Sequence, residues 1–229
     1  MKQLTFILGL LLAVSCGRDT GNLTVKTHVK GLKKGTVYLQ KADDSIIVNV
    51  DSVTVNGNED FELYANVESP EVFFLKLDKN DNTNEKILFF GEPGEITINT
   101  TLKNFTIDSK VTGSKNQDIL EDYLLVMSKL NNSKLDLIKE DFEARQSGDS
   151  LRIKKAVDAA NNLIKRKYLY TVNFAMNNKD SEVAPYLALT EIYDANIKWL
   201  DTINNTLTPK VKASKYGKEL QHYIDEIKE

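Results

Sequence analysis

The feature that most constrains the fold of this chain is a change in hydrophobic period near its middle. From Leu23 to about Thr112, apolar and polar residues alternate with a period of two, as in "LTVKTHV", which indicates strands with one buried face. From Ser114 onward, apolar residues recur every three or four positions, which indicates amphipathic helices. The sequence therefore predicts an α+β fold, with a β domain at 23–112 and a helical domain at 113–229.

The first half contains seven or eight short strand-like segments. Turn sequences rich in glycine, asparagine and proline, such as "VNGNED" and "GEPGE", separate them. Short strands at this spacing are typical of an antiparallel β-sandwich or a partly open barrel. The segments are "LTVKTHV", "TVYLQ", "SIIVNVDSVTV", "DFELYANV", "EVFFLKL", "KILFF", "EITINT" and "FTIDSKVT".

The second half predicts four or five helices, packed on each other and on one side of the β domain. The first helix carries an apolar stripe that continues past "NNS" through Leu135, Ile138 and Phe142. A long second helix, from about Asp149 to Asn177, is expected to turn one stripe inward. Its members are Ile153, Val157, Ala160, Ile164, Tyr168 and Val172.

Three further features complete the helical half. Ser181 is a suitable N-cap for the next helix, and a short helix around Trp199 is expected to end near Pro209. The last helix begins near Tyr216. The change in period falls at "TGSKNQ", so we expect exposed backbone between the domains at residues 112–118.

The start of the chain resembles a bacterial lipoprotein signal. In "MKQLTFILGLLLAVS" a lysine precedes an apolar stretch that is too short to span a bilayer but suits a signal peptide. "SC" followed by glycine matches the lipobox, although Ala13 stands where leucine is commonest. The resemblance implies a signal peptide at residues 1–15, cleavage after Ser15 and lipid attachment at Cys16, with a short polar tether at 16–22.

An ordinary signal peptide with a chance cysteine is the alternative. Cys16 is the only cysteine of the chain, and an unpaired thiol is uncommon in the oxidising compartments to which exported proteins go. Two or three acyl chains would anchor the protein firmly, because each buried methylene contributes about 0.8 kcal/mol. Only Asp19 is acidic just behind Cys16, which favours the periplasmic face of the outer membrane over the cell surface.

The composition is that of an ordinary folded protein. The chain carries 30 basic and 33 acidic residues, a net charge of −3, and 41% of its residues are hydrophobic. A balanced charge gives no electrostatic footprint for nucleic acid. We therefore expect a folded body held to a membrane by its lipid, and no nucleic-acid partner.

Loose motifs along most of the mature chain resemble a known family. The resemblance is to domain of unknown function 4369, which in Bacteroidota envelope lipoproteins precedes a helical region and a thioredoxin-like domain. The motifs are "GLKKGTVYL" (31–39), "VDSVTVNGNEDFEL" (50–63), "FGEPGEITI" (90–98), "VTGSKNQ" (111–117), "NNKDSEVAPYLAL" (177–189) and "SKYGKEL" (214–220).

The sequence departs from that family in the part that carries redox chemistry. The thioredoxin-like domain would begin where this sequence ends, at Glu229, and the Cys-x-x-Cys pair needed for disulfide exchange is absent. We expect a non-catalytic binding or scaffolding module in the cell envelope, accessory to thioredoxin-like proteins or to another envelope protein or ligand. The alternative is an envelope enzyme of the hydrolase type, with scattered carboxylates that form no recognisable motif.

An aromatic surface is one candidate partner site. Phe73, Phe74, Phe89 and Phe90 occur as two adjacent pairs on strands, so each pair places one ring on each side of a sheet. Either the helices cover the second side, or an exposed aromatic patch binds a partner. The sequence favours cover by the helices.

Weaker candidates are four Asp-Ser or Asp-Thr tripeptides that match a Bacteroidota O-glycosylation motif. Their acceptor residues are Ser45, Ser52, Ser150 and Thr202. The two histidines, His28 and His222, have no converging partners in the sequence and are expected at the surface.

A calcium site is also considered and not favoured. "DKNDNTNEKILF" places Asp78, Asn80 and Asn82 at EF-hand ligand positions, but Thr83 replaces the turn glycine and Phe89 the bidentate glutamate. The segment is therefore expected to be a polar hairpin loop. The sequence predicts no metal site, no cofactor and no catalytic residue.

Overall fold

The computed structural model describes residues 21–43, 46–78 and 85–229, and within these ranges the chain forms eight strands followed by six helices. This order confirms the α+β fold. The strands are β1 (Leu23–Lys30), β2 (Lys34–Asp43), β3 (Ile46–Asn56), β4 (Asp60–Ala65), β5 (Glu71–Asp78), β6 (Lys86–Gly91), β7 (Gly94–Thr101) and β8 (Lys110–Thr112). The helices are α1 (Lys115–Ser147), α2 (Ser150–Asn177), α3 (Val183–Glu191), α4 (Ile197–Thr206), α5 (Pro209–Lys212) and α6 (Lys215–Lys228).

The strands form two sheets with an apolar core between them. One sheet has the order β4-β1-β7-β8 and the other β3-β2-β5-β6. Alternate residues of both sheets, such as Val25 and Ile96 from one and Leu39 and Leu75 from the other, share this core. The sheets do not close on each other, so the β half is a sandwich rather than a barrel. One pairing is parallel, β1 with β7, while β1 and β4 pair antiparallel.

The last predicted strand is shorter than expected. Only Lys110–Thr112 of "FTIDSKVT" pair with β7, and the residues before them form turns. Phe105 is fully buried in the sandwich core, and its carbonyl accepts a hydrogen bond from the Thr100 hydroxyl at 2.6 Å. The apolar Phe105 therefore does not mark a strand. A side chain can be buried in the core while its backbone lies in a turn and pairs with no strand.

Six helices replace the predicted four or five, because the chain forms an additional short helix, α5, where the helix before it was expected to end. Pro209 occupies the first turn of α5, where its missing N–H costs nothing. α1 runs without a break through "NNS". It begins at Ser114, whose side chain accepts a hydrogen bond from the Gln117 N–H, and it ends at Gly148 in the left-handed conformation (φ 70°).

The expectation of an exposed segment at residues 112–118 holds only in part, because Thr112, Gly113, Lys115 and Asp118 are exposed but the other three residues are not. Ser114, Asn116 and Gln117 are buried. The Gln117 side-chain oxygen accepts a hydrogen bond from the Phe90 N–H at 3.0 Å, and Ser181 donates to Asn116 at 2.6 Å. The helices pack directly on the β half, so polar side chains at the junction serve as ties between the two parts.

The outer face of the second sheet is covered by α1, α3 and α6. Val72 and Phe90 of that sheet pack against residues of the helices, including Tyr123, Leu187 and Tyr216. Phe90 meets the ring of Tyr216 edge to face, with centroids 6.2 Å apart. This cluster is a second apolar core, separate from the one inside the sandwich.

A buried ionic group adds to the same contact. The Glu71 carboxylate of β5 is buried and lies 2.9 Å from the Lys41 ammonium and 2.7 Å from that of Lys215. Lys215 also donates to the Ala42 carbonyl at 2.9 Å. Lys41 belongs to β2 and Lys215 to α6, so one carboxylate joins two strands to the last helix.

Candidate docking groove

The first two helices form a hairpin that extends beyond the packed body. The α1 residues in the apolar cores end at Leu130, and those of α2 begin at Tyr168. We name the segments 131–147 and 150–167 the arm. Arg152 of α2 joins the two helices near the tip of the arm, because its guanidinium lies 2.9 Å from the Glu140 carboxylate of α1. None of the helices in the described part of the chain is long and apolar enough to cross a membrane.

An open groove of about 490 Å³ runs along one face of the arm. Its walls come from α1 and α2, and its inner end is formed by residues just after α3. The lining residues are Met127, Lys134, Leu137, Ile138, Asp141, Ala156, Val157, Ala160, Asn161, Leu163, Ile164, Lys167, Tyr168, Thr171, Glu191, Tyr193 and Asp194.

Apolar side chains in this groove are exposed to an unusual degree. Ile138 is 55% exposed, Val157 41% and Ile164 49%. Leu135 and Phe142 lie beside Ile138 on α1 and are exposed as well. A single exposed leucine is ordinary, but a row of apolar residues at helical spacing marks a surface that another element covers.

The expectation that this α2 stripe turns inward is therefore wrong for Val157 and Ile164. The two arm helices meet along a different face, through the half-buried Leu137 and the buried Ala144, Ala156 and Leu163. Two helices in contact can each bury one stripe only, so the second stripe of each helix stays uncovered. The spacing of the apolar residues in the sequence shows that this face of α2 is apolar, but it does not show which element covers the face.

Charged residues border the groove with both signs. Lys134 and Lys167 are basic, and Asp141, Glu191 and Asp194 are acidic. One Asp141 oxygen accepts a hydrogen bond from Arg145 at 2.7 Å, and the other has no hydrogen-bond partner among the described residues. Lys134 makes no ion pair within the described ranges.

The inner end of the groove is fixed by tyrosines. The Tyr168 hydroxyl donates to the Asp194 carboxylate at 2.8 Å, and that hydrogen bond raises the pKa of the Tyr168 phenol. Tyr223 of α6 donates to the backbone carbonyl of Tyr193 at 3.0 Å. The segment after α3 is thus held against both α2 and α6, and it forms a fixed wall.

Three of the four phenylalanines considered for an aromatic surface are buried, as the favoured alternative of cover by the helices expects for the second side of the sheet. Phe73 and Phe89 are fully buried in the sandwich core, with ring centroids 5.9 Å apart. Phe90 is fully buried under the helices. Phe74 is half-buried and lies under the Lys86 ammonium, 5.6 Å from its ring centroid. One ring of each pair does lie on each side of the sheet, but helices cover the second side.

The histidines lie at the surface beside carboxylates. His28 is 2.8 Å from Asp60, and His222 is 3.3 Å from Glu226. No group of three or more histidine, cysteine or carboxylate side chains suited to a metal ion occurs among the described residues. Asn80, Asn82 and Thr83 of the loop considered for calcium lie outside those residues.

The remaining predicted sites are not brought together by the fold. Ser52 is exposed on β3 and Ser150 at the start of α2, while the Thr202 hydroxyl is bonded to the Lys198 carbonyl at 2.6 Å. Ser15, Cys16 and Ser45 lie outside the described residues. Glycosylation at these positions stays a prediction.

One comparison with known proteins identifies the β half. The family model "Domain of unknown function (DUF4369)" matches residues 23–120. The DUF4369 match includes all eight strands and the first turns of α1. The arm lies beyond it, so the groove belongs to the part of the chain that the DUF4369 model does not describe. No curated protein matches the chain significantly in sequence.

Proposed function

We propose that this protein is a lipid-anchored module of the cell envelope that binds another protein through the groove of its arm and performs no catalysis itself. The observation that carries the proposal is the uncovered apolar stripe of Ile138, Val157 and Ile164. Exposing these side chains to water is unfavourable, at about 25 cal/mol per Å² of apolar surface. A partner that covers them recovers this free energy.

The shape and chemistry of the groove favour a protein segment over a small molecule. Small ligands bind in concave pockets that enclose most of their surface and carry a few convergent polar groups. Here the floor is open and apolar, and the charges stand at its borders. An apolar centre with a polar border is the arrangement of protein interfaces, and a helix can lie along it.

The resemblance to envelope lipoproteins supports the class of partner. In those proteins a DUF4369 domain and a helical region stand ahead of a thioredoxin-like domain. A separate thioredoxin-like protein, or another envelope protein, is therefore a suitable partner for the module. The DUF4369 match is compatible with this role but assigns no activity of its own.

Lipid attachment at Cys16 is the second part of the proposal. It rests on the signal-like stretch before Cys16 and on the lipobox match. The test is metabolic labelling of cells with a tagged fatty acid. The wild-type protein should carry the label, and the Cys16→Ser protein should not. An unmodified thiol at Cys16 in the membrane-bound protein would contradict the anchor.

The docking role is tested by site-specific photo-crosslinking of the full chain in its own cells. A photoreactive residue at position 164 lies in the groove, whereas one at 169, where Leu169 is similarly exposed (46%), lies on another face of α2. We expect protein adducts from position 164 and few from 169. The role is refuted if position 164 gives no adduct.

The non-catalytic part is tested separately. Disulfide exchange needs one thiolate to attack and a second to resolve the mixed disulfide, and the chain has a single cysteine. The purified protein should show no turnover of a model disulfide, ester or glycoside at any pH. Turnover that survives purification to homogeneity would favour the hydrolase alternative.

A further inference from the structure

We propose that the groove is occupied by the same groove of a second copy of this chain, so that two arms pack antiparallel about a two-fold axis as a four-helix bundle. This inference rests on the proposed docking role and names its partner. The evidence is a symmetry in the residues of the groove. A two-fold interface must be self-complementary, since residue i then meets residue j and residue j meets residue i.

On α1 the symmetry centre lies between Leu137 and Ile138. Lys134 and Asp141 both line the groove and stand at equal distances on either side of that centre. In an antiparallel pair, Lys134 of each copy therefore lies opposite Asp141 of the other. Each of the two resulting contacts joins a lysine to an aspartate. Between them, the central apolar residues Leu137 and Ile138 of the two copies face each other.

On α2 the centre lies between Ala160 and Asn161. Val157 and Ile164 stand at equal distances from it, and both are exposed in the groove. Val157 of one copy would then pack on Ile164 of the other, and the two-fold axis repeats this contact with the copies exchanged. The two centres lie about 10 and about 12 residues from the turn at Gly148, so their levels on the hairpin differ by only about 3 Å.

Lys134 is the ionic partner that is free for such a contact, because it is exposed and makes no ion pair within the described ranges. Asp141 already pairs with Arg145 through one oxygen at 2.7 Å, and its other oxygen is buried, so Lys134 of a second copy would join the Asp141–Arg145 pair at its partly exposed side. Within one chain Lys134 and Asp141 are about 10 Å apart along the helix axis, too far to pair. Lys134 can therefore meet Asp141 only between copies.

The wall at the inner end of the groove selects the antiparallel arrangement. Tyr193 and Asp194 stand beside the groove at the base of the arm. A second copy in the parallel orientation would bring its own wall to the same level, where the two would collide. In the antiparallel orientation the slender Gly148 turn of one copy reaches the level of Met127 in the other, next to this wall.

The face is large enough to hold two copies together. The face from Met127, at the inner end of the groove, to Gly148, at the tip of the arm, is about 31 Å long, and two adjacent helices are about 20 Å wide, which gives about 600 Å² in plan. A stable interface buries about 800 Å² of accessible surface on each partner. A corrugated helix face has more accessible surface than its plan area, so a reversible dimer is expected.

Sedimentation of the full-length protein in detergent micelles tests the dimer over a wide concentration range. We expect a monomer–dimer equilibrium. Ile164→Glu should weaken it about a hundredfold or more, because the side chain is lost from two symmetric contacts. Leu169→Glu is the matched control on the same helix and should leave the equilibrium unchanged. A wild-type protein that stays monomeric, or a dimer insensitive to Ile164→Glu, would overturn the inference.

The charge pairs permit a stricter test of the geometry. Lys134→Asp and Asp141→Lys should each weaken self-association about tenfold or more, since each places like charges opposite each other. An equimolar mixture of the two variants should dimerise again, because both contacts then join opposite charges. Circular dichroism checks that each variant keeps its helices. If the mixture associates no better than its components, the antiparallel pairing is wrong.

The photo-crosslinking experiment separates this inference from the docking role. If position 164 crosslinks to a second copy, the groove is a docking site whose occupant is this chain itself and not a different envelope protein. If it crosslinks to a different envelope protein and the purified chain is monomeric, the docking role stands and the dimer is refuted. If it gives no adduct, the docking role itself is refuted.

Discussion

The hydroxyl of Tyr216 accepts a hydrogen bond from the backbone N–H of Val72 at 2.9 Å, across 144 positions of the chain. Val72 lies near the start of β5, and Tyr216 lies in the first turn of α6. Both groups are buried, so water cannot replace either partner. A single side-chain oxygen thus satisfies a strand N–H that would otherwise be left unpaired under the helices.

Tyr216→Phe should therefore destabilise the fold. The ring can stay in place, but the Val72 N–H loses its acceptor, and an unsatisfied buried donor costs about 1–3 kcal/mol. Urea unfolding followed by circular dichroism measures the change. Tyr193→Phe, at an exposed tyrosine, serves as the control and should unfold like the wild type. Equal stability of Tyr216→Phe and the wild type would show that the hydrogen bond contributes nothing.

Alkaline pH should destabilise the protein through its buried phenols. Burial, as the largest cause, raises the pKa of both Tyr123 and Tyr216 above the ordinary value. A raised pKa in the folded state means that the unfolded chain loses these protons first. Stability is then fully present below about pH 10 and falls as the pH rises above it.

Unfolding free energies measured across that pH range test the sign and the assignment. The decline should be less steep in Tyr123→Phe, because one of the phenols whose pKa is raised by folding is removed. A stability that rises with pH above the ordinary phenol pKa would contradict the prediction.

Glu71→Gln should loosen the contact between the sandwich and α6. The amide keeps the shape of the side chain but removes the negative charge that Lys41 and Lys215 share. Breaking a fully buried ion pair costs about 3–5 kcal/mol. The two lysines are partly exposed, so we expect a smaller loss of about 1–3 kcal/mol. Glu68→Gln, at an exposed position nearby, should change the unfolding free energy little.

Gly148→Ala should weaken the tip of the arm and little else. Gly148 has φ 70°, and an added Cβ would meet no atom within 4 Å, so the cost is that of the left-handed backbone alone, about 1 kcal/mol. Amide hydrogen exchange should speed up at residues 144–152. Gly57→Ala, with φ 89° and open space in a β-turn, is the matched control. It should speed exchange in the turn between β3 and β4 and leave the arm unchanged.

The architecture could be predicted from the sequence because both parts obey simple periods. The switch near "TGSKNQ" correctly divides strands from helices, and the turn residues correctly separate most strands. The pairing of β1 with β7 could not be predicted, because alternation defines the faces of a strand and not its neighbours. The length of β8 was overestimated, since Phe105 is buried by a turn.

The candidate site was present in the sequence but misread. Val157 and Ile164 form a clear stripe, and the natural expectation is that such a stripe faces the core of its own domain. The structure shows that the seam of the arm uses other residues, such as Ala156 and Leu163. For the four phenylalanines the sequence favoured cover by the helices, and Phe73, Phe89 and Phe90 are indeed buried. Only the packing distinguishes these cases.

The central position of β1 has a mechanical consequence. β1 is the first strand of the described part of the chain, yet it lies between β4 and β7, with ladder hydrogen bonds along both sides. The bonds to β4 are perpendicular to β1, and those to β7, in the parallel pair, run across it at a slant. A pulling force that enters through the residues before Leu23 acts along β1 and strains both ladders in shear, so many bonds resist at once. An edge strand peeled from its sheet would instead yield one bond at a time. The sandwich is therefore built to withstand tension applied at its N-terminal end.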